Sequence, residues 1–264
     1  MLAGQRILIV NDDGIHAPGI QLLEKIVRRF TDDVWVIAPD EERSGASNSV
    51  SLHVPVRVRQ LDAQRFAVKG TPTDCVIMAM RELMADNRPT LVLSGINRGA
   101  NLAEDSLYSG TIAAAMEATL FGVPAIALSQ VAHRGAPVPW DTAEHYTPAV
   151  VESILATGIP ERTIVNINFP PVSADAVAGV QAVAQGTYPL GTFSTEARVD
   201  GRDVPYYWIR LSREKSDYVA GTDLHAVSNG HIAVAPLHAD LTAHALVTPL
   251  ATAFSKLALP GRSS

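Results

Sequence analysis

Over its first two-thirds the chain alternates short aliphatic runs with segments of helical periodicity. Ile7–Val10, ILIV, is an apolar run of strand length; Ile20, Leu23, Ile26, Val27 and Phe30 then recur at helical spacing behind Pro18. Val34–Ala38 reads as a second strand and leads into the polar loop DEERSGASNS at 40–49. Val50–Val58 and Phe66–Val68 read as extended segments that would pair as a hairpin, followed by a helix capped by Thr73 or Asp74 and running to about Met84. Leu91–Leu93, Pro124–Leu128 and Thr163–Ile167 read as further strands, with helices over Thr111–Phe121 and from Thr142 to Ala156. Between the strand at 91 and the helix at 111 lies a long glycine-bearing loop, SGINRGANLAEDSLYSG.

Strand–helix alternation at this pace predicts a three-layer α/β/α, Rossmann-like fold with a mostly parallel sheet. After Pro171 the rhythm changes. Val180–Ala184 and Val204–Leu211 read as strands around GTYPLGTFSTEARVDGRD. A loop of that length in a compact domain is usually functional or engaged elsewhere, so we expect an extended β-hairpin arm that packs on a second subunit. Ile232–Ala235 reads as a short strand, Leu241–Leu257 contains a closing helix, and the tail PGRSS is expected to fray. The expected organisation is a core at 1–171 carrying the site and an oligomerisation arm with a C-terminal segment at 172–264, both parts of one structural unit.

Ligands of open parallel sheets bind in the crevice at the carboxyl ends of the strands. Three polar loops emerge there: NDDG after the first strand, DEERSGAS after the second, and SGINRGAN after Leu91–Leu93. Asp12 and Asp13 are adjacent like charges, so either water solvates them on an ordinary Asn-Asp-Asp-Gly turn or a cation sits between them. A strictly extended strand would send the two side chains to opposite sides, whereas a turn at Gly14 lets both reach one ion. Ser44 and Asn97 could add neutral oxygen ligands or serve only as loop hydrogen-bonders, and Arg43 is either a phosphate contact or a solvated side chain. The segment YSGT runs directly into TIAAAMEATLF. Ser109 or Thr111 is a natural N-cap there, and such a helix start offers free N–H groups and positive dipole to an anion. GTPTD, with Pro72 and Asp74, is a second helix-start signal.

Charge sharpens this picture. The net charge is −6 and the pI about 5.7, which argues against sequence-independent nucleic-acid binding and against a DNA or RNA duplex as partner. An acidic chain that handles anions must concentrate positive charge locally, by a metal or by helix N-termini. Cys75 is the only cysteine, so no internal disulfide forms, which suits a reducing compartment. No run approaches the roughly 18 apolar residues of a membrane span, and the expected location is the cytoplasm, without a membrane partner. The eight histidines form no HExxH, and neither GxxxxGK[ST], a GxGxxG after the first strand, nor GxSxG occurs. ATP-driven, NAD-dependent and serine-hydrolase chemistries lose ground accordingly.

Taken together, IVNDDGIHAPGI, APDEERSGASNSVSLH, GTPTDCV, LVLSGINRGANLAEDSLYSGTIAAAMEATLFGVPAIALS, NINFP and TDLHAVSNGHIAVAPL resemble, in order and spacing, the SurE family of stationary-phase survival proteins and 5′/3′-nucleotidases. The resemblance covers Ile7 to His244, and SGINRGAN followed by YSGT is its most specific part. It implies a SurE-like fold and a metal-dependent phosphomonoesterase acting on nucleoside 5′- and 3′-monophosphates, and on short polyphosphate as well. It implies one divalent cation per subunit, Mg²⁺ or Mn²⁺, held by Asp12, Asp13, Ser44 and Asn97. Asn101, Ser109, Gly110 and Thr111 match the family's phosphate-contacting residues, and Asp12, Asp13, Asn101, Ser109 and Thr111 its catalytic set. A homodimer or homotetramer built through a hairpin and exchanged C-terminal elements is implied too. Two positions depart from the family pattern: Asn48 stands where many members carry a histidine, and His225 where relatives commonly carry an acid. Paired aspartates with a divalent ion would also suit a nucleoside N-ribohydrolase, and a nucleotide-sensing module without turnover is the non-enzymatic alternative.

Overall fold

The structure is a computed structural model that describes residues 2–133, 135–188, 193–211, 217–255 and 257. The tail PGRSS and residues 189–192 of the 186–203 loop lie outside the described residues. In chain order the elements are β1 (Ile7–Val10), α1 (Pro18–Val27), β2 (Val34–Pro39), β3 (Arg57–Asp62), β4 (Arg65–Lys69), α2 (Pro72–Met78), β5 (Leu91–Arg98) and α3 (Gly110–Leu120). There follow β6 (Ala125–Gln130), α4 (Trp140–Thr157), β7 (Thr163–Phe169), β8 (Gly179–Ala182), β9 (Phe193–Val199), β10 (Pro205–Leu211), α5 (Asp223–Ser228), β11 (His231–His238) and α6 (His244–Phe254).

Nine strands form one sheet in the order β3-β4-β2-β1-β5-β6-β7-β11-β8. The run β4-β2-β1-β5-β6-β7 is parallel throughout and has the strand order of a doubly wound nucleotide-binding sheet. Strand order reverses between β1 and β5, so the crevice opens at their carboxyl ends, where NDDG and SGINRGAN leave the sheet. Helices cover both faces, and the central strands are therefore apolar on both. Ile7 and Ile9 of β1 join the cluster under α1 and α4, with Ile20, Leu23, Val150 and Val151. Leu8 and Val10 join the opposite cluster under α2 and α3, with Val76, Met80, Ile112 and Ala118. Period-2 alternation is absent from such strands because neither face meets water. Cys75 is buried in the second cluster and burial pushes its thiol up, which makes it an inert core residue.

Three expected elements differ in detail. The hairpin partner of β4 begins at Arg57, not Val50; Val50, Leu52 and Val54 stay exposed, because the five residues of β4 offer no partner beyond Lys69. The cap of α2 is Thr71, not Thr73 or Asp74: Pro72 occupies the first turn, the Thr71 hydroxyl accepts from the Asp74 amide, and the Asp74 carboxylate accepts from the Thr71 amide at 2.8 Å. The loop around Gly186–Asp203 contains a strand of its own. β9 pairs with β10 as the hairpin, while β8 joins the main sheet parallel to β11. β9 reads FSTEARV without an apolar alternation, and none of its residues is buried.

Asp74 also accepts from the Ser51 amide and hydroxyl at 3.0 and 2.7 Å, tying the irregular 50–56 segment to α2. Asp74→Ala is expected to lower unfolding stability by roughly 2–3 kcal/mol, read by urea denaturation, since it removes a cap and orphans buried donors.

Candidate metal and phosphate site

NDDG leaves a strand buried on both faces, and its geometry follows from that origin. Asn11 donates to the Gly14 carbonyl at 2.9 Å and closes the turn, while Gly14 takes φ +98° against the Glu41 backbone. Asp12 continues on the face of Leu8 and Val10, pointing to α3. It is 4% exposed, and the Thr111 hydroxyl donates to its Oδ1 at 2.6 Å. Asp13 is half-buried and accepts from the Arg98 amide at the end of β5, 3.0 Å away. One oxygen of each carboxylate is left without a donor from another described residue.

Two loops close over this turn. The Arg43 amide donates to the Asp12 carbonyl at 2.7 Å, and the Ser47 hydroxyl donates to the Leu107 carbonyl, also at 2.7 Å. The 40–49 loop is thereby fastened to β1 on one side and to the 99–109 loop on the other. Asp12, Ser44, Asn97, Asn101 and Ser109 all line one cavity of about 1130 Å³. Of the residues singled out in the sequence, these five therefore meet at one hollow. Thr111 reaches it through Asp12, and Asp13 stands against Arg98. Gly110 is packed so tightly that an added Cβ would lie 2.8 Å from the Asp12 Cβ, so the N-terminus of α3 sits directly on the acidic turn. Ser109 caps α3, accepting from the Ile112 amide, and the Gly110 and Thr111 amides donate to no described residue. Asn48 is exposed on the 40–49 loop, and His225 lies in α5.

Electrostatics single out the acidic pair. Burial pushes Asp12 from the ordinary 3.8 to about 6; the Thr111 hydroxyl works against this and Asp13 adds to it. Asp13 is raised for the same first reason. No described Lys, Arg or His side chain forms a salt bridge with either. Two desolvated carboxylates with uncommitted oxygens, beside the neutral oxygens of Ser44 and Asn97, fit a hard divalent cation. Ser44 donates to Glu42 at 2.8 Å and Asn97 donates to the Gly99 carbonyl at 3.1 Å, which leaves lone pairs on the Ser44 hydroxyl and the Asn97 carbonyl oxygen. No cluster of three acidic, histidine or cysteine ligands occurs among the described residues.

Sequence reasoning assigned no role to Ser129, Asn166, Asn168 or Asp223. The Asn101 carbonyl accepts from Asn166 and Asn168 at 2.8 and 3.1 Å, its amide donates to Asn168 at 2.9 Å, and its side chain donates to Ser129 at 2.9 Å. Asp223 accepts from the Ala103 and Gly186 amides, holding the loop beyond Asn101. The available signal was in β7: two asparagines two apart in an otherwise apolar, fully buried strand must find partners on one face. The arm contributes as well, since Phe193, Ser194 and Arg210 line the same cavity and Phe193 meets Tyr108 edge-on at 5.5 Å.

The class so defined is an open doubly wound α/β protein with a desolvated acidic pair and an anion-accepting helix start at its switch point. The family model of Survival protein SurE matches residues 7–191, and the chain belongs to the SurE family. A protein of Parvibaculum lavamentivorans named "5′-nucleotidase SurE" is 49% identical over 97% of this chain and 94% of its own length. One of the same name from Methylobacterium radiotolerans is 50% identical over 95% of this chain and 100% of its own. The crystal structure of a SurE protein from Aquifex aeolicus superposes with a TM-score of 0.81 at 34% identity, covering 94% of this chain and 99% of that one.

A carboxylate raised on folding loses its proton later in the folded state than in the unfolded chain. Without metal, stability from Asp12 therefore falls as pH rises from about 4 to about 6 and stays flat above. In EDTA, Asp12→Asn is expected to gain on the wild type by about 3 kcal/mol between pH 4 and 7, measured by urea unfolding. An unchanged difference between the two proteins across that range would contradict the burial of an uncompensated charge.

Proposed function

We propose that this chain is a divalent-cation-dependent phosphomonoesterase that hydrolyses nucleoside 5′- and 3′-monophosphates to nucleoside and phosphate, and accepts short polyphosphate. The observation that carries this reading is the contact of the α3 N-terminus with the buried Asp12: one hollow offers carboxylates for a cation and free amides for an anion. The relatives named 5′-nucleotidase support it. Asp12, Asp13, Ser44 and Asn97 would hold one Mg²⁺ or Mn²⁺, which supplies positive charge against phosphate and lowers the pKa of a bound water.

The chain's own residues do the rest. The Gly110 and Thr111 amides, with the Ser109 hydroxyl hydrogen, are available to phosphoryl oxygens at the positive end of α3. Asn101 is held rigidly by Ser129, Asn166 and Asn168 and keeps its side-chain oxygen and one N–H for substrate. The Thr111 hydroxyl fixes the Asp12 carboxylate and favours its charged form.

The proposed assembly is a homodimer or homotetramer, and the proposed location is the cytoplasm. In support, no helix among the described residues is long and apolar enough to cross a membrane. Tyr207, Trp208 and Ile209 of β10 are exposed, and α6 buries none of its residues although Leu246, Val247, Leu250 and Phe254 are apolar. Apolar surface on that scale is characteristic of an interface.

With Mg²⁺ or Mn²⁺, nucleoside monophosphates are expected to yield free phosphate, and Asp13→Asn to lower kcat at least 1000-fold, on the order expected for a lost metal ligand. Release of free base in place of phosphate would assign the N-ribohydrolase reaction. Tight nucleotide binding without turnover would assign a sensor. Replacing Trp208 and Ile209 by Asp is expected to shift the protein to monomers in light scattering.

A further inference from the structure

A second hollow, of about 390 Å³, is lined by Arg43, Arg57 and Lys69 together with Ser51, Val54 and Thr71. It adjoins the first through the 40–49 loop: Ser44 lines the Asp12 cavity and its neighbour Arg43 lines this one. Among the described residues no acidic one lines it, in a chain whose net charge is −6.

The placement of the cations costs stability. Arg57 and Lys69 are directly opposed across the β3–β4 ladder, and like charges at directly opposite positions are destabilising. Neither makes an ion pair or a side-chain hydrogen bond among the described residues. The Arg43 Nε is buried without a partner, and its nearest carboxylate is the exposed Glu41 at 4.0 Å. Asp74, behind the wall, is committed to Ser51 and Thr71. Three cations from three separate segments thus converge on a small volume, and among the described residues none of them has a carboxylate closer than the 4.0 Å that separates Arg43 from Glu41.

We propose that this pocket binds an oligoanion of contiguous phosphate groups. Three separated cations match two or three linked phosphoryl groups, each carrying charge, better than a single one, and the volume admits such a chain. Its binding is independent of the activity proposed above; its use as an exosite for the distal phosphates of an oligophosphate substrate rests on that activity. The ligand is either the far end of a substrate whose terminal phosphate reaches the Asp12 cavity or a separately bound oligophosphate.

Thermal unfolding in EDTA at low salt isolates the pocket, because without a cation the Asp12 site repels anions. One millimolar tripolyphosphate is expected to raise the wild-type Tm by about 2–4 °C, and inorganic phosphate by much less. Arg57→Gln/Lys69→Gln is expected to lose most of that shift while its metal-supported hydrolysis of nucleoside monophosphate stays within about twofold, which shows that it folds. A tenfold or larger fall in tripolyphosphate kcat/KM in the same variant assigns the ligand to the substrate's far end. Unchanged or absent tripolyphosphate hydrolysis assigns it to a separately bound anion. Equal Tm shifts in both proteins, or no shift in the wild type, overturn the proposal. A wild type that shows the shift but releases no phosphate from nucleotides would defeat the phosphomonoesterase reading and leave the pocket standing.

Discussion

Two carboxylates sit side by side at the end of a strand buried on both faces, and no cationic side chain among the described residues forms a salt bridge with either. That constraint organises the rest of the site. Charge so desolvated is tolerated at neutral pH only if something else supplies the compensation. In this chain the fixed part comes from one hydroxyl on Asp12 and one amide on Asp13. The larger part is left to whatever enters the cavity. The protein alone is therefore poised toward a proton on Asp12, and under the proposed function a divalent cation would compete with that proton for the same oxygen atoms.

The scaffold holds this charge in place with unusually polar strands. β7 places Asn166 and Asn168 inside the sheet, and both are committed to the backbone of Asn101. Buried amides are costly when unsatisfied and directional when satisfied, so they fix a loop more sharply than apolar packing does. Asp223 repeats the device one turn further along, gathering the amides of Ala103 and Gly186 from segments far apart in the chain. The helix α3 then needs no side chain at its first residue. Gly110 is required because any Cβ there would collide with Asp12, and that close approach brings the α3 amides up to the acidic turn.

Much of this was legible in the sequence because local rules and the fold agree. The strand–helix rhythm, the glycine-terminated acidic turn and the YSGT cap each predict their own geometry, and the loops meet because parallel strands all end on one edge. What was not legible depends on partners distant in sequence. Thr71 outcompetes Asp74 as cap because Pro72 fixes the helix start, a choice between adjacent polar residues that periodicity does not make. β9 carries no pattern, and none of its residues is buried. Asn166 and Asn168 read as interruptions of a strand until the loop that they hold is placed beside them.

The arm ties these observations together. Its inner end, Phe193, Ser194 and Arg210, walls the cavity, while Tyr207, Trp208 and Ile209 further along present apolar surface to solvent. A two-stranded ribbon is marginally stable alone. Among the described residues, the one aromatic contact from the ribbon to the core is the edge-on meeting of Phe193 with Tyr108, the residue just before the α3 cap. Whatever covers the exposed face of the ribbon must therefore stiffen one wall of the cavity at the same time. In an assembly built through this arm, subunit contact and the shape of the cavity would be set by the same strands, and loss of the former would loosen the latter although Asp12, Ser44, Asn97, Asn101 and Ser109 all lie outside the arm.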